Sequence, residues 1–182
     1  MKILLLQGNP AADTKFDSYI EDLCSAYKER GFTVELEMLR DMDIRPCTGC
    51  FKCWIKTPGK CVIHDDAISI IEKYLSFDQV VLASPLILGY FSALLKNTMD
   101  RSIPLMHPHL EEVHGEMHHK KRYEKYPEIG IILQREETTD DEDIEIAHDI
   151  FKRMCINMRT DLSFVELTDK KPQEVAHAVD VH

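Results

Sequence analysis

Apolar residues occur along the chain in short runs, separated by longer stretches in which they recur every three or four positions. The runs at 2–6, 79–84 and 128–134 are apolar almost throughout, which is typical of strands buried on both faces of a parallel sheet. Residues 33–39 alternate apolar with polar or charged side chains, which predicts a strand near a sheet edge. A fifth strand is predicted at 162–167.

Helical periodicity fills the gaps between these runs. It covers residues 16–30, a stretch that begins after Asp65-Asp66, and residues 91–101, with Pro85 expected to end the third strand. A fourth helix is predicted to begin at the capping box Thr139-Asp140-Asp141-Glu142, and a short helix is expected at the C-terminal end. Strands that alternate with helices predict one α/β domain, a doubly wound parallel sheet with helices on both faces.

Composition narrows the range of partners. The formal net charge is -10, which argues against nucleic acid because binding there depends on cationic contacts to phosphate. No stretch approaches the roughly 20 apolar residues that cross a bilayer, and the apolar N-terminal run stops at Gln7-Gly8-Asn9-Pro10 with no cleavage site after it. Six cysteines without a secretion signal predict a reducing, cytoplasmic location.

Four of the six cysteines lie in residues 47–61, in the order C-x-x-C-x-x-C followed by Cys61. The dipeptide Pro58-Gly59 predicts a turn before Cys61 that lets the four thiols converge. Three interpretations stay open: an iron–sulfur site, which compact cysteine spacing favours; a zinc site, which usually takes two separated C-x-x-C pairs; and free thiols beside a redox pocket. The rest of the chain slightly favours the third. Cys24 and Cys155 are predicted to be core thiols.

The loops after strands one and three are the candidate binding loops, because ligands of an open parallel sheet lie beyond the carboxyl ends of its strands. Residues 8–18 combine small and hydroxyl side chains before a helix N-terminus, which attracts phosphate. They match neither G-x-x-x-x-G-K nor G-x-G-x-x-G. Residues 84–92 are unusually apolar for a connection, which indicates either a flat apolar ligand or a protein interface.

Three segments together resemble a known family: the Gly8-Asn9-Pro10 turn, residues 47–66, and residues 83–101, which hold Ser84-Pro85, a small-residue turn, and then Leu95-Lys96 and Asp100-Arg101. The chain resembles the flavodoxin-like family of NAD(P)H-dependent FMN reductases and iron–sulfur flavoproteins. The resemblance implies a five-stranded parallel sheet of order 2-1-3-4-5, FMN as cofactor and NAD(P)H as co-substrate.

The resemblance also implies which residues contact the cofactors. The contacts to the FMN phosphate would come from Asn9, Thr14, Phe16, Asp17 and Ser18. The contacts to its ring would come from Pro85, Leu86, Ile87, Leu88 and Gly89. In the iron–sulfur branch the 4Fe-4S ligands would be Cys47, Cys50, Cys53 and Cys61.

Two departures from the family pattern change what we expect. A carboxylate repels phosphate, so Asp17 is expected to bond backbone N–H groups instead. The loop at 134–138 is acidic where many relatives carry a glycine-rich turn. Trp54 is expected either to stack on the flavin or to fill the core.

Three functions follow as expectations. The first is an FMN-dependent oxidoreductase that moves electrons from NAD(P)H to a small quinone, aromatic or flavin acceptor; the cofactor does this chemistry, so no catalytic side chain is named. The second is an electron carrier with FMN and a 4Fe-4S cluster. The third is a cofactor-free flavodoxin-like binding module.

The final expectation concerns assembly. The domain is expected to cover residues 1–182, with a polar, histidine-rich arm or lid at 102–127. The resemblance implies a homodimer in which this arm approaches the partner's flavin pocket, with Asp100 and Arg101 near the two-fold interface.

Overall fold

The computed structural model describes residues 1–179, so the end of the domain expected over 1–182 lies outside the described residues. Its strands and helices, in chain order, are β1 (Lys2–Gln7), α1 (Lys15–Glu29), β2 (Thr33–Met38), α2 (Lys52–Ile55), α3 (Ala67–Tyr74), β3 (Gln79–Ile87), β4 (Tyr90–Phe91), α4 (Ala93–Asp100), β5 (Met106–Val113), β6 (Glu116–Lys121), β7 (Glu128–Gln134), α5 (Asp141–Met158), β8 (Leu162–Leu167) and α6 (Pro172–Ala176). Short 3-10 helices lie at Leu39–Asp41 and Ile103–Leu105.

The central sheet has the order β2-β1-β3-β7-β8, and each of these neighbouring pairs is parallel. When β4, β5 and β6 are left out, this is the predicted order 2-1-3-4-5, and the prediction is confirmed. The alternating segment at 33–39 forms the edge strand β2, as its pattern predicted. The predicted ends of all five parallel strands lie within three residues of the observed ends.

The sheet buries an apolar layer on each face. One layer contains Leu4, Leu82 and Phe151, and the other contains Ile3, Phe16 and Phe164. Phe164 crosses above the glycine at position 130, where an added Cβ would lie 2.2 Å from the Phe164 ring. A strand glycine is needed there because any side chain would displace that ring.

Three predicted boundaries were wrong. Strand β3 continues through Pro85 to Ile87, because β7 pairs with it as far as Pro85 and β4 pairs with Leu86 and Ile87. Its pairing with β1 ends at Ala83, so Pro85 removes no hydrogen bond on that side. Phe91 belongs to β4 rather than to the following helix, since it pairs with Leu86. Helix α5 is capped by Asp140, with Asp143 completing the capping box, one residue later than predicted.

The segment 102–127 contains a hairpin that the sequence did not predict. Strands β5 and β6 pair with each other in antiparallel fashion. Two ion pairs connect the hairpin to α5. Arg153 of α5 pairs with Glu116 at 2.7 Å, and Arg159, at the C-terminal end of α5, pairs with Glu111. The arm is therefore an ordered ribbon that packs on its own chain. Within residues 1–179, no helix is both long and apolar enough to cross a membrane.

Candidate functional site

The loop after β1 is closed by the first turn of α1. The Thr14 side chain accepts a hydrogen bond from the Asp17 N–H, while the Asp17 carboxylate accepts one from the Thr14 N–H at 2.9 Å. Asn9 donates to the Thr14 hydroxyl at 2.8 Å. This capping box leaves the N–H groups of Lys15 and Phe16 without an intrahelical acceptor. The helix start therefore offers free donors and a positive dipole end to an anion.

Asp17 does not disturb this arrangement, because its charge is compensated below the loop. The Arg40 guanidinium donates to the Asp17 carboxylate at 2.7 Å, and Gln7 donates to the same oxygen. Burial by itself would raise the pKa of Asp17, but the Thr14 N–H, Arg40 and Gln7 together lower it to about 2. The expectation that Asp17 bonds backbone N–H groups is confirmed. Arg40 was not singled out from the sequence.

The loop after β3 is a two-residue hairpin turn. Ile87 pairs with Tyr90, and the two residues between them, Leu88 and Gly89, have φ of 54° and 74°. Two positive φ values in succession make this a tight turn of the primed kind. The turn lifts the Leu88 side chain clear of the fold, where it is 91% exposed. An apolar side chain is thus presented at the carboxyl end of the sheet.

The two binding loops are joined to each other. The Gly8 N–H donates to the Ala83 carbonyl at 2.7 Å, and the Ser92 hydroxyl donates to the Gly8 carbonyl. Ser92 also caps α4 by accepting from the Leu95 N–H at 3.2 Å. A Cβ at Gly8 would lie 2.8 Å from the Leu95 Cβ, so only glycine permits this contact. Both loops therefore hold a fixed position relative to α4.

The acidic loop after β7 also reaches this edge. An added Cβ at Gly89 would lie 2.5 Å from an Asp143 carboxylate oxygen, so the hairpin turn packs directly on the first turn of α5. Asp143 accepts from the Asp140 N–H at 3.2 Å. The three loops that follow β1, β3 and β7 thus meet at one edge, as the fold predicts for a ligand site.

The predicted contact residues differ in what they present. Asn9, Phe16, Asp17 and Leu86 are buried, while Ser18 and Leu88 are exposed. Phe16 and Leu86 are 0% exposed, so they offer a ligand only backbone atoms. Side-chain contacts at this edge therefore depend on the more exposed members of the predicted set.

The four clustered cysteines line a single small cavity, together with Arg101 and residues of the 3-10 helix that follows it. Gly49 and Phe51 adopt positive φ and turn the chain into the short helix α2, which carries Cys53. The predicted turn at Pro58-Gly59 is present, with the Gly59 N–H donating to the Cys53 carbonyl at 3.0 Å. This turn brings Cys61 back to the other three.

Because the thiols lie close together around one cavity, their charges affect one another. Burial raises the pKa of Cys53, and negative charge on Cys61, Cys47 and Cys50 raises it further. The Lys52 N–H and the Thr48 hydroxyl lower the pKa of the exposed Cys50. Such coupling requires short separations, because charge interactions weaken with distance.

The described part of the chain contains no group of three or more His, Cys, Asp or Glu side chains arranged to hold one metal ion. The four thiols that line one cavity are nonetheless a set of donors that zinc and iron–sulfur clusters both take.

Arg101 lies beside this cavity. The expectation from the sequence is a position near the two-fold interface of a homodimer. Its side chain is 1% exposed and pairs with Asp65, which is 0% exposed. One of its N–H groups also approaches the Cys61 sulfur at 3.4 Å. The position of Arg101 near the two-fold interface of a homodimer stays a prediction. Asp100, which pairs with Lys96, is half exposed.

Helix α4 links the cavity to the binding loops. Its N-cap residue, Ser92, contacts the loop after β1, and its C-cap residue, Arg101, contacts Cys61. At about 1.5 Å per residue, the distance along the helix between these two residues is roughly 14 Å. The two candidate sites therefore lie at opposite ends of one short, rigid element.

Trp54 is partly buried and lies outside the two apolar layers of the sheet. Its ring stacks on Phe51, with centroids 5.1 Å apart, and leans on His119 of β6 at 5.2 Å. Its indole N–H donates to the Ile103 carbonyl at 3.1 Å. Trp54 thus fastens the cysteine segment to the β5–β6 hairpin. Cys24 and Cys155 are buried in the two apolar layers, as predicted.

Known proteins are similar to this chain in sequence and in fold. The model of a family described as NADPH-dependent FMN reductase matches residues 1–121. An iron-sulfur flavoprotein of Methanocaldococcus jannaschii is 37% identical over 105 residues, which cover 58% of this chain and 53% of that protein. An iron-sulfur flavoprotein of Methanosarcina thermophila is 32% identical over 105 residues, which cover 58% of this chain and 54% of that protein. The match spans about half the length of these relatives.

Solved structures confirm the flavodoxin-like fold. An FMN-dependent NADH-azoreductase from Bacillus anthracis in complex with FMN superposes with a TM-score of 0.64 at 15% identity, covering 97% of this chain and 93% of that one. An NAD(P)H:quinone oxidoreductase from Methanothermobacter marburgensis gives 0.64 at 15% identity, covering 98% and 95%. At such low identity the likeness concerns the fold alone.

Proposed function

Because the chain belongs to the NADPH-dependent FMN reductase family, we propose that it is an FMN-dependent oxidoreductase whose second redox centre is a 4Fe-4S cluster on the four clustered cysteines. One observation carries the proposal: Cys47, Cys50, Cys53 and Cys61 line one cavity, joined by a single short helix to the loops that the family uses for FMN. The free-thiol interpretation, slightly favoured from sequence, gives the four converging thiols no role as ligands.

The three loops at the carboxyl edge of the sheet supply the proposed FMN site. Asn9, Thr14 and Ser18, with the free N–H groups at the start of α1, would hold the phosphate. The backbone of residues 85–89, with the more exposed side chains of Ile87 and Leu88, would lie along the ring. Bound there, the flavin supplies hydride and single-electron chemistry. Arg40 keeps the Asp17 carboxylate neutralised beneath the phosphate loop, so that this carboxylate does not repel the anion.

The cysteine cavity fits a cluster by the chemistry of its donors. Thiolates are the ligands that iron–sulfur clusters take, and a cluster adds one-electron transfer. The buried Arg101 cation beside Cys61 offsets negative charge that four thiolates would bring together. Cys50 is exposed and the other three are more covered, so the cavity is open at one side.

A small-molecule acceptor is supported by the exposed turn. Leu88 stands free at the edge of the sheet, above the buried layer, and offers an apolar surface to a quinone, aromatic or flavin acceptor. The structurally similar protein of Methanothermobacter marburgensis is an NAD(P)H:quinone oxidoreductase, whose acceptor belongs to this class. The same exposed residue supports the proposed homodimer, because a second chain can cover it.

The test is the composition of protein prepared without oxygen. FMN is titrated into the protein, and iron and sulfide are measured in the wild type and in Cys→Ser variants at positions 47, 50, 53 and 61. We expect saturable FMN binding throughout, and loss of iron and sulfide in each Ser variant. C24A and C155A remove cysteines outside the cavity and should keep the cluster. Wild type that binds neither FMN nor iron would leave only the cofactor-free module.

A further inference from the structure

The Arg101 side chain donates a hydrogen bond to the Cys61 sulfur, which lines the cysteine cavity. It follows the last residue of α4, and its side chain turns inward toward the cysteine cavity. A fully buried guanidinium is costly unless every charge and donor is matched. The way in which its donors are used therefore indicates what this residue is for.

Most of the donors are used to fix the backbone around the cavity. One terminal nitrogen donates to Asp65 at 2.5 Å and to the Arg45 carbonyl at 2.6 Å. The other donates to Asp65 at 2.9 Å and to the Ile63 carbonyl at 3.3 Å. Arg101 thus clamps the chain on both sides of the cysteine segment, just before Cys47 and just after Cys61.

One side of the guanidinium lies against the cysteine site. The second terminal nitrogen, whose two hydrogens serve Asp65 and Ile63, also lies 3.4 Å from the Cys61 sulfur and shares a hydrogen with it. The Nε of Arg101 is buried, and no acceptor for it lies within the described region. An unmatched buried donor next to four thiols is accounted for by a further acceptor in the cavity, and the sulfide of an iron–sulfur cluster is such an acceptor.

We propose that Arg101 is a positioning and tuning residue for the cluster, holding Cys61 in place and donating N–H bonds to its sulfur and to the cluster. This inference rests on the proposed function. N–H bonds to sulfur and a nearby positive charge stabilise the additional negative charge of the reduced cluster. Arg101 therefore raises the midpoint potential of the cluster and makes it easier to reduce.

The rival account is that Arg101 only braces the fold through Asp65. Arg45 provides a matched control, because it also pairs with Asp65, at 3.6 Å, but it is half exposed and makes no hydrogen bond to a cysteine sulfur. Arg101→Gln and Arg45→Gln remove the same charge near the same carboxylate. Only the first removes contact with Cys61.

The experiment measures the midpoint potential of the cluster by EPR-monitored redox titration of reconstituted protein. We expect a clearly more negative midpoint in R101Q than in the wild type, with R45Q close to the wild type. The FMN potential, measured in the same samples, should move little in both variants. Equal cluster potentials in R101Q and R45Q would overturn the inference.

A second measurement does not depend on R101Q folding. Wild-type protein labelled with 15N-arginine is reduced and examined by pulsed EPR for a 15N coupling to the cluster. We expect a coupling that survives Arg45→Lys and disappears in Arg101→Lys, which keeps the charge but loses the forked donor. Absence of this coupling from the wild type would overturn the inference.

The two levels of the account fail in different ways. Wild type that takes up no iron contradicts the proposed cluster, and the inference falls with it. Wild type with a full cluster but no 15N coupling leaves the proposed function standing and overturns the role of Arg101 alone.

Discussion

Arg101 and Asp65 form a two-bond ion pair in the protein interior, with N–O distances of 2.5 and 2.9 Å. The two residues are 36 positions apart in the chain. Asp65 also accepts from the Arg45 N–H at 3.0 Å and from the Ala67 N–H at 3.2 Å. This pair connects the end of α4, the start of α3 and the cysteine segment.

Breaking the pair from the carboxylate side should be strongly destabilising. Asp65→Asn leaves the Arg101 charge buried and uncompensated, and we expect the free energy of unfolding to fall by about 3–5 kcal/mol. Denaturant unfolding monitored by circular dichroism measures this. Asp66→Asn is the control, because the exposed Asp66 carboxylate accepts only one hydrogen bond, from the Asp43 N–H. This substitution should lower the free energy of unfolding by about 1 kcal/mol or less. Equal losses in the two variants would contradict the importance of the pair.

Asp17 should make stability fall at acid pH. Its pKa is lowered from 3.8 to about 2 in the folded protein, so its contribution is complete above the unfolded value and is lost as pH falls through the folded one. We expect about 2 kcal/mol from this source to disappear between roughly pH 4 and pH 2. Asp17→Asn should flatten the profile of unfolding free energy over that window. Asp13→Asn, in the exposed part of the same loop, should keep the wild-type slope.

The Leu88-Gly89 turn can be tested against a second hairpin turn. Gly89 and Gly115 have φ of 74° and 83°, but only at Gly89 would a Cβ meet a neighbour, Asp143 at 2.5 Å. Gly115→Ala should cost about 1 kcal/mol from backbone strain alone. Gly89→Ala should cost more and should also weaken FMN binding at least several-fold, as measured by fluorescence titration. Unchanged FMN affinity would place the flavin ring away from this turn.

The proposed homodimer predicts a mass of twice the chain's 21.1 kDa. Sedimentation equilibrium at micromolar concentration measures it. Leu88→Glu places a charge on the most exposed apolar side chain and should shift the equilibrium toward monomer. Ile55→Glu, at another exposed apolar residue, is the control. A wild type that sediments as a monomer with FMN bound would show that one chain closes its own pocket.

The sheet could be predicted from the sequence because its signal is local. Strands buried on both faces must be apolar almost throughout, and the runs at 2–6 and 128–134 show this directly. The hairpin at 106–121 could not be predicted in this way. Its strands contact α5 by ion pairs such as Arg153–Glu116, and few of their side chains are buried. The alternating apolar pattern of a half-buried strand is therefore missing from the sequence.

The candidate site was predictable where spacing alone decides. The convergence of four cysteines follows from their short gaps and from the turn at Pro58-Gly59. The burial of Arg101 does not, because a charged residue at a helix end is expected in solvent, and its partner Asp65 is distant in sequence. Arg40 was missed for the same reason. Its ion pair with Asp17 joins the 3-10 helix after β2 to the first turn of α1, and these two segments are distant in sequence.

The most direct test of the central claim is the number of electrons that one chain accepts. Anaerobically prepared wild type, saturated with FMN, is titrated with dithionite while absorbance and EPR are recorded. FMN takes two electrons and a 4Fe-4S cluster takes one, so the account predicts about three per chain, together with an EPR signal that is absent from the Cys→Ser variants. Uptake of only two electrons, with no such signal, would contradict the account.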